Sequence, residues 1–200
     1  RSFIGLILEN KSDQLDDKGK KYLNIISQSA ERMSALIKAL LRYSQIGDSG
    51  KKQAVELNKV AEDVLIDLKA AIDKSQAQVK VHDLPKINGF EEDLRMLFQN
   101  LISNAIKFRK TEEQPVIEIK AEVEGEYVNL QFSDNGIGIK NEFYERVFLI
   151  FQRLHTRDEY EGTGIGLAQC KKIAELHEGS ISIDSEVGKG TTFHIRLKMK

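Results

Sequence analysis

Three clusters in this 200-residue sequence combine residue types and spacings that could do chemistry. The first is Asp134-Asn135-Gly136-Ile137-Gly138-Ile139, which follows the alternating run Tyr127-Val128-Asn129-Leu130-Gln131-Phe132-Ser133. Alternation of apolar and polar residues is the period of a half-buried strand, so the strand delivers a carboxylate to its own end. Two glycines beyond it let the backbone turn sharply and come close to a ligand. A carboxylate is an acceptor; it suits an amino group such as an adenine N6 and repels a phosphate. A plain tight turn has the same spelling, so this cluster alone does not decide.

The second cluster is Glu161-Gly162-Thr163-Gly164-Ile165-Gly166-Leu167-Ala168, which runs into a helical pattern carrying Cys170, Ile173, Ala174 and Leu176. Glycines that open a helix leave its first N–H groups free at the positive end, which suits phosphate. A dinucleotide-binding turn would need a strand just before the glycines, and Arg153 to Tyr160 is polar without period two. A Walker A Gly-Lys-Ser/Thr is also absent from the sequence. The third cluster is Asn100, Asn104 and Lys107 on one stripe of a helical segment. Asparagine is a poor helix former, yet two of them lie four apart on one face. Their amide oxygens suit Mg²⁺ and the lysine suits phosphate oxygens; a solvated polar face is the plainer alternative.

The elements that must position these clusters follow from periodicity. A helix is expected from Leu57 or Asn58, with Asn58 as N-cap, to Lys74, and another from Glu91 to about Phe108 burying Leu94, Leu97, Phe98, Leu101, Ile102 and Ala105. Val79-Lys80-Val81 reads as a short strand, with Pro85 and Gly89 marking a bend. Ile117, Ile119, Ala121 and Val123 form the apolar face of another strand, and Ile181–Asp184 pairs with Thr191–Leu197 across residues 186–190. With antiparallel strands of one apolar face each, the expected fold is α+β, ending in a two-layer α/β sandwich.

Residues 1–46 read as a helical hairpin. Tyr22, Ile26, Ser29, Met33, Leu36, Leu40 and Tyr43 make a heptad seam, with Leu23, Ala30, Ile37 and Leu41 beside it. Two adjacent seams ask for more cover than the short first helix gives, so half of a four-helix bundle made by two chains is expected. Residues 47–54 have the composition of a linker, and 55–200 form the second domain.

Thirty basic and 31 acidic residues leave a net charge of −1, with no general attraction to nucleic acid or anionic membrane. The single cysteine, Cys170, fits a reducing compartment and a buried position. No apolar run is long enough to span a membrane, no signal peptide is seen, and an initial arginine points to a piece of a longer protein.

Together these clusters resemble the ATP-binding domain of sensor histidine kinases in the GHKL (Bergerat fold) superfamily. Asn100–Lys107 is similar to its N box, Asp134–Gly138 to its G1 box, 147–153 to its F box, Gly162–Leu167 to its G2 box, and Gly188-Lys189-Gly190-Thr191 to its final glycine-threonine turn. The resemblance implies that Asp134 binds the adenine amino group with support from Thr191, and that Asn104 coordinates Mg²⁺. It further implies that Lys107 reaches the ATP phosphates, that Phe108 packs beside the base, and that Gly164 and Gly166 allow close approach. Asn100, Gly136, Gly138, Arg153, Gly162, Thr163 and Leu167 complete the implied nucleotide contacts, with residues 152–161 as a mobile lid.

By the same resemblance the hairpin is the dimerisation and phosphotransfer domain of a bacterial two-component kinase. Its acceptor motif, His-Glu/Asp-x-Arg/Lys-x-Pro-Leu, matches Arg1-Ser2-Phe3-Ile4 only from the fourth position, with Phe3 in place of proline. The acceptor histidine is therefore expected three residues upstream of Arg1, since His82, His155, His177 and His194 all fall in the second domain. Ser2 stands where relatives with phosphatase activity use Thr or Asn. The implied activity is transfer of the ATP γ-phosphoryl group to histidine, then to an aspartate of a response-regulator receiver domain. The implied setting is cytoplasmic, as a homodimer under an upstream sensor domain. A non-catalytic dimeric ATP-binding scaffold is the competing class, and a gyrase-like clamp would need a transducer domain not seen here.

Overall fold

A computed structural model describes residues 3–10, 14–48, 50–154, 160 and 162–200. Ser2, the Ser12-Asp13 turn, His155 and most of the expected lid lie outside the described residues. The chain divides into two compact units, residues 1–44 and 45–200.

In the first unit, α1 (Phe3–Asn10) contacts α2 (Asp17–Ser44), a helix of 28 residues. Asp16 caps α2: its Oδ1 accepts the Gly19 N–H at 2.7 Å, satisfying one of the helix's orphan donors. No residue of α2 is buried in the single chain. Met33 of one stripe and Ile37 of the other are each 59% exposed, so both apolar stripes face outward.

The second unit runs β1 (Gln53–Glu56), α3 (Leu57–Asp67), α4 (Lys69–Ser75), β2 (Gln78–Val81), β3 (Lys86–Gly89), α5 (Glu91–Lys107), β4 (Val116–Glu124), β5 (Tyr127–Asp134), two short 3₁₀ turns, α6 (Gly166–Leu176), β6 (Ser180–Glu186) and β7 (Gly190–Lys198). The main sheet has the order β2-β4-β5-β7-β6. Its one apolar face follows from alternation: Ile117 and Ile119 of β4 are buried with Val128, Leu130 and Phe132 of β5 and Ile195 and Leu197 of β7. Leu94, Leu97, Phe98, Leu101 and Ile102 of α5 are buried too, and the Phe98 and Phe132 rings meet edge to face at 4.9 Å. Each fully buried side chain of this kind contributes about 1.5–3 kcal/mol of transfer free energy. The α+β fold with a two-layer sandwich is as expected.

Five local expectations are corrected. The helix expected over 57–74 breaks at Leu68 (φ −88°, ψ 3°) into α3 and α4. Neither glycine nor proline stands there, so periodicity reads straight across a bend that no local residue type announces. Asn58 is not the N-cap; Glu56 is, without a side-chain bond, because β1 runs directly into the helix. The Asn58 amide instead holds the backbone of Leu84, accepting from its N–H at 3.2 Å and donating to its C=O at 3.4 Å.

The stretch expected as linker is partly structured. Ile46 is buried, the Gly47 N–H donates to Asp93 Oδ2 at 3.1 Å, and β1 begins at Gln53. β1 pairs antiparallel with β3, where only a bend was expected; four-residue strands are too short for alternation to show. Finally, β2 pairs with β4 in parallel, because strand β3 and helix α5 form a crossover before the chain returns. Among the described residues, no helix is long and apolar enough to cross a membrane.

Candidate functional site

A cavity of about 330 Å³ opens beside the end of β5, between α5, the start of α6 and the start of β7. Asp134 is the last residue of β5, and the ladder pairs it with Thr191 of β7. Its Oδ1 accepts the N–H groups of Gly136 at 2.8 Å and Thr191 at 3.3 Å, which leaves Oδ2 as the acceptor for a ligand. Burial raises the Asp134 carboxyl to about 6, further than those two backbone bonds lower it.

The hydroxyl beside it can be assigned by counting protons. Ser185 Oγ accepts the Ile139 N–H at 2.7 Å and bonds Gly190 O at 2.9 Å, where the carbonyl can only accept. The Ser185 proton is thus spent on Gly190, so Thr191 Oγ1, 2.9 Å away, donates to Ser185. Thr191 therefore meets a ligand or water as an acceptor. Tyr144 fixes this corner by accepting the Ser185 N–H at 2.8 Å and donating to its carbonyl.

Close approach explains the glycines. A Cβ on Gly138 (φ +72°) would lie 2.1 Å from Glu186 O, so no larger residue fits where this loop crosses the hairpin of β6 and β7. Gly164 (φ +72°) would place a Cβ 2.8 Å from Gln152 O, at the turn leading into α6. At Gly162 a Cβ would come within 2.9 Å of Lys107 Nζ, so glycine there leaves the ammonium room on the cavity side.

Of the fourteen residues expected at the site, thirteen line this cavity: Asn100, Asn104, Lys107, Phe108, Asp134, Gly138, Arg153, Gly162, Thr163, Gly164, Gly166, Leu167 and Thr191. Gly136 does not line it and serves through its N–H on Asp134. Lys107 Nζ lies 4.3 Å from the Phe108 ring centroid, and Arg153 Nη2 donates to the Tyr160 carbonyl at 2.5 Å. Asn100 Nδ2 donates to Gln169 Oε1 of α6 at 3.1 Å, joining the two helices that flank the cavity.

Several contributors escape sequence reasoning. Tyr160 sets its ring 4.9 Å from Phe108, though the sequence around it carries no periodicity to single it out. Ser185 and Tyr144 act from behind the cavity. Gln169 is buried, and a polar residue inside the apolar pattern of α6 is the one signal that could have flagged it. Among the described residues, no three His, Cys, Asp or Glu side chains gather to hold a metal. A cation here would rest on amide oxygens and on the ligand's own oxygens, a hard-oxygen set of the kind Mg²⁺ takes.

Residues 89–200 match the family model described as histidine kinase-, DNA gyrase B-, and HSP90-like ATPase. The chain is 41% identical to cyanobacterial phytochrome A of Nostoc sp. over 198 residues, 98% of this chain and 26% of that protein. It is 36% identical to the circadian input-output histidine kinase CikA of Synechococcus elongatus, over 90% of this chain and 25% of that one. In structure it is similar to the histidine kinase AdeS of Acinetobacter baumannii, with TM-score 0.69 and 21% identity, covering 98% of this chain and 93% of that one. The chain belongs to the histidine kinase-, DNA gyrase B- and HSP90-like ATPase family, and its ATP-binding domain is of the sensor histidine kinase type. It spans about a quarter of the length of these two curated relatives.

Proposed function

We propose that this chain is the kinase module of a two-component sensor, binding Mg-ATP and passing the γ-phosphoryl group to a histidine. The observation that carries the reading is the pairing of Asp134 with Thr191 at one end of a cavity whose other walls are the Asn100–Lys107 stripe and the glycine start of α6. Oδ2 of Asp134 accepts from the adenine amino group, and Thr191 Oγ1 offers a second acceptor there, directly or through water. Phe108 and Tyr160 flank the base. Lys107 neutralises phosphate charge, and the first N–H groups of α6 receive phosphate oxygens.

Asn104, with Asn100 beside it, offers amide oxygens that fit a nucleotide-borne Mg²⁺. When bound, the ion draws charge from the phosphate oxygens as the transferred group leaves. The protein's part is positioning and charge neutralisation, which need no nucleophile on this domain.

The acceptor histidine is expected upstream of Arg1, and a receiver-domain aspartate is the onward acceptor. Among the described histidines, His82 sits 2.8 Å from Glu118, His194 sits 3.0 Å from Asp184, and His177 is buried. The test is radiolabelled ATP given to this chain and to a longer chain that includes the expected histidine. The longer chain gains acid-labile, base-stable label and loses it on Asn104→Ala, while this chain takes none. A longer chain that binds Mg-ATP yet stays unlabelled with its sensor attached would favour the non-catalytic scaffold.

A further inference from the structure

The link between Asn100 and Gln169 is built from two side-chain amides, and each amide has an oxygen end and an NH₂ end. Which end of Asn100 turns toward the ligand decides whether it attracts or rejects a cation. Gln169 does not line the cavity; it is buried at 6% exposure behind it, on α6. Asn100 Nδ2 donates to Gln169 Oε1 at 3.1 Å. On its other side, Asn100 Oδ1 lies 3.2 Å from where a Cβ on Gly166 would stand, and Asn100 and Gly166 both line the cavity. The Cys170 thiol is pushed up to about 12 by burial, opposed first by a hydrogen bond from Asn100. The donor end of Asn100 thus turns toward α6 at Gln169.

We propose that Gln169 is a positioning residue for metal-nucleotide binding: it holds the Asn100 amide with Nδ2 toward α6 and Oδ1 on the cavity side. In that pose Asn100 offers an oxygen to the cation or to its waters. Turned over, it would present two N–H donors, which no cation accepts as ligands. The inference rests on the Mg-ATP reading and deepens it. Gln169 touches neither nucleotide nor metal and acts only through Asn100.

The experiment is calorimetric titration of ADP into the chain, with Mg²⁺ or with EDTA, for the parent and for Gln169→Met. Methionine keeps the volume and the helix while removing the acceptor. The expected result is a loss of metal-dependent tightening of about fivefold, the worth of one hydrogen bond of about 1 kcal/mol, with metal-free ADP affinity held within about twofold of the parent's. In an Asn100→Asp background both terminal atoms are oxygens, so orientation no longer matters and Gln169→Met should leave the metal response unchanged. Thermal unfolding in the same buffers checks the fold, and Gln169→Ala replaces the methionine variant should it not fold. Equal loss of affinity with and without metal would mean a merely structural role and overturn the inference. An unchanged metal response in Gln169→Met would overturn it too, leaving the Mg-ATP reading intact. A parent that binds ADP equally well with Mg²⁺ and EDTA would overturn both.

Discussion

The imidazole of His177, at the end of α6, accepts the backbone N–H of Phe90 at 3.2 Å, 87 residues earlier in the chain. Its Nδ1 lies 2.8 Å from Ile173 O, and because a carbonyl only accepts, the proton is on Nδ1 and Nε2 is the acceptor. The ring is buried and neutral, and burial lowers its pKa. Its stabilising contribution is present above pH 6.5, the ordinary value, and is lost as pH falls through the lowered folded value. Denaturant unfolding at pH 7.5 and 5.5 should show this. His177→Phe should cost about 1–3 kcal/mol at pH 7.5 by orphaning the Phe90 N–H, and should lose less on acidification than the parent.

Asp134 has the opposite sign. Its folded value of about 6 lies above that of a free carboxyl, so its contribution is present below pH 4 and is lost as pH rises through 6. Asp134→Asn keeps an oxygen for the two backbone N–H groups and removes the charge. The nucleotide-free variant should be more stable than the parent at pH 7.5, by up to roughly 3 kcal/mol. It should also bind Mg-ADP more weakly by about 1.5–3 kcal/mol, the worth of a hydrogen bond to a charged group. Thermal unfolding with and without Mg-ADP measures both; undiminished binding by the folded variant would sink the adenine assignment.

How far the sequence anticipates this site depends on the range of each interaction. Asp134, the Asn100–Lys107 stripe and the glycine start of α6 were legible because strand ends and helix faces are local and periodic. So was the core of α5 and of β4 and β5. Gln169, Ser185 and Tyr144 were not, since what makes each matter is a partner between 41 and 69 residues away. The bend at Leu68 and the pairing of β1 with β3 failed for the same reason, being settled by packing rather than by residue type.

The outward stripes of α2 make a separate prediction about assembly. A helix of this length with Met33 and Ile37 uncovered leaves apolar surface that a second copy would cover, forming the expected bundle. Charging Met33 or Leu36 should give monomers or a melted hairpin while Mg-ADP binding by residues 45–200 persists. Light scattering at tens of micromolar with parallel calorimetry checks it; a monomeric parent removes the bundle from residues 1–44 as they stand.

Gly190 gives the sharpest steric test. A Cβ there would lie 1.9 Å from Asp134 O, and its φ of +124° is outside the range of most side chains. Gly190→Ala should push β7 off β5 at the floor of the cavity and weaken Mg-ADP binding by tenfold or more, about 1.4 kcal/mol. Hydrogen exchange should show the Thr191 amide losing protection in the same variant.

Asp134 and Thr191 face each other across one rung of the ladder, although they stand 57 positions apart in the chain with α6 between them. A ladder rung is fixed by the strands on either side of it, not by the length or spelling of the detour between them. If Asp134 and Thr191 read the base as proposed, its choice is separable from the handling of phosphate in this fold. On that reading, a lengthened, shortened or exchanged detour should change how the phosphates are held while the same purine is still recognised.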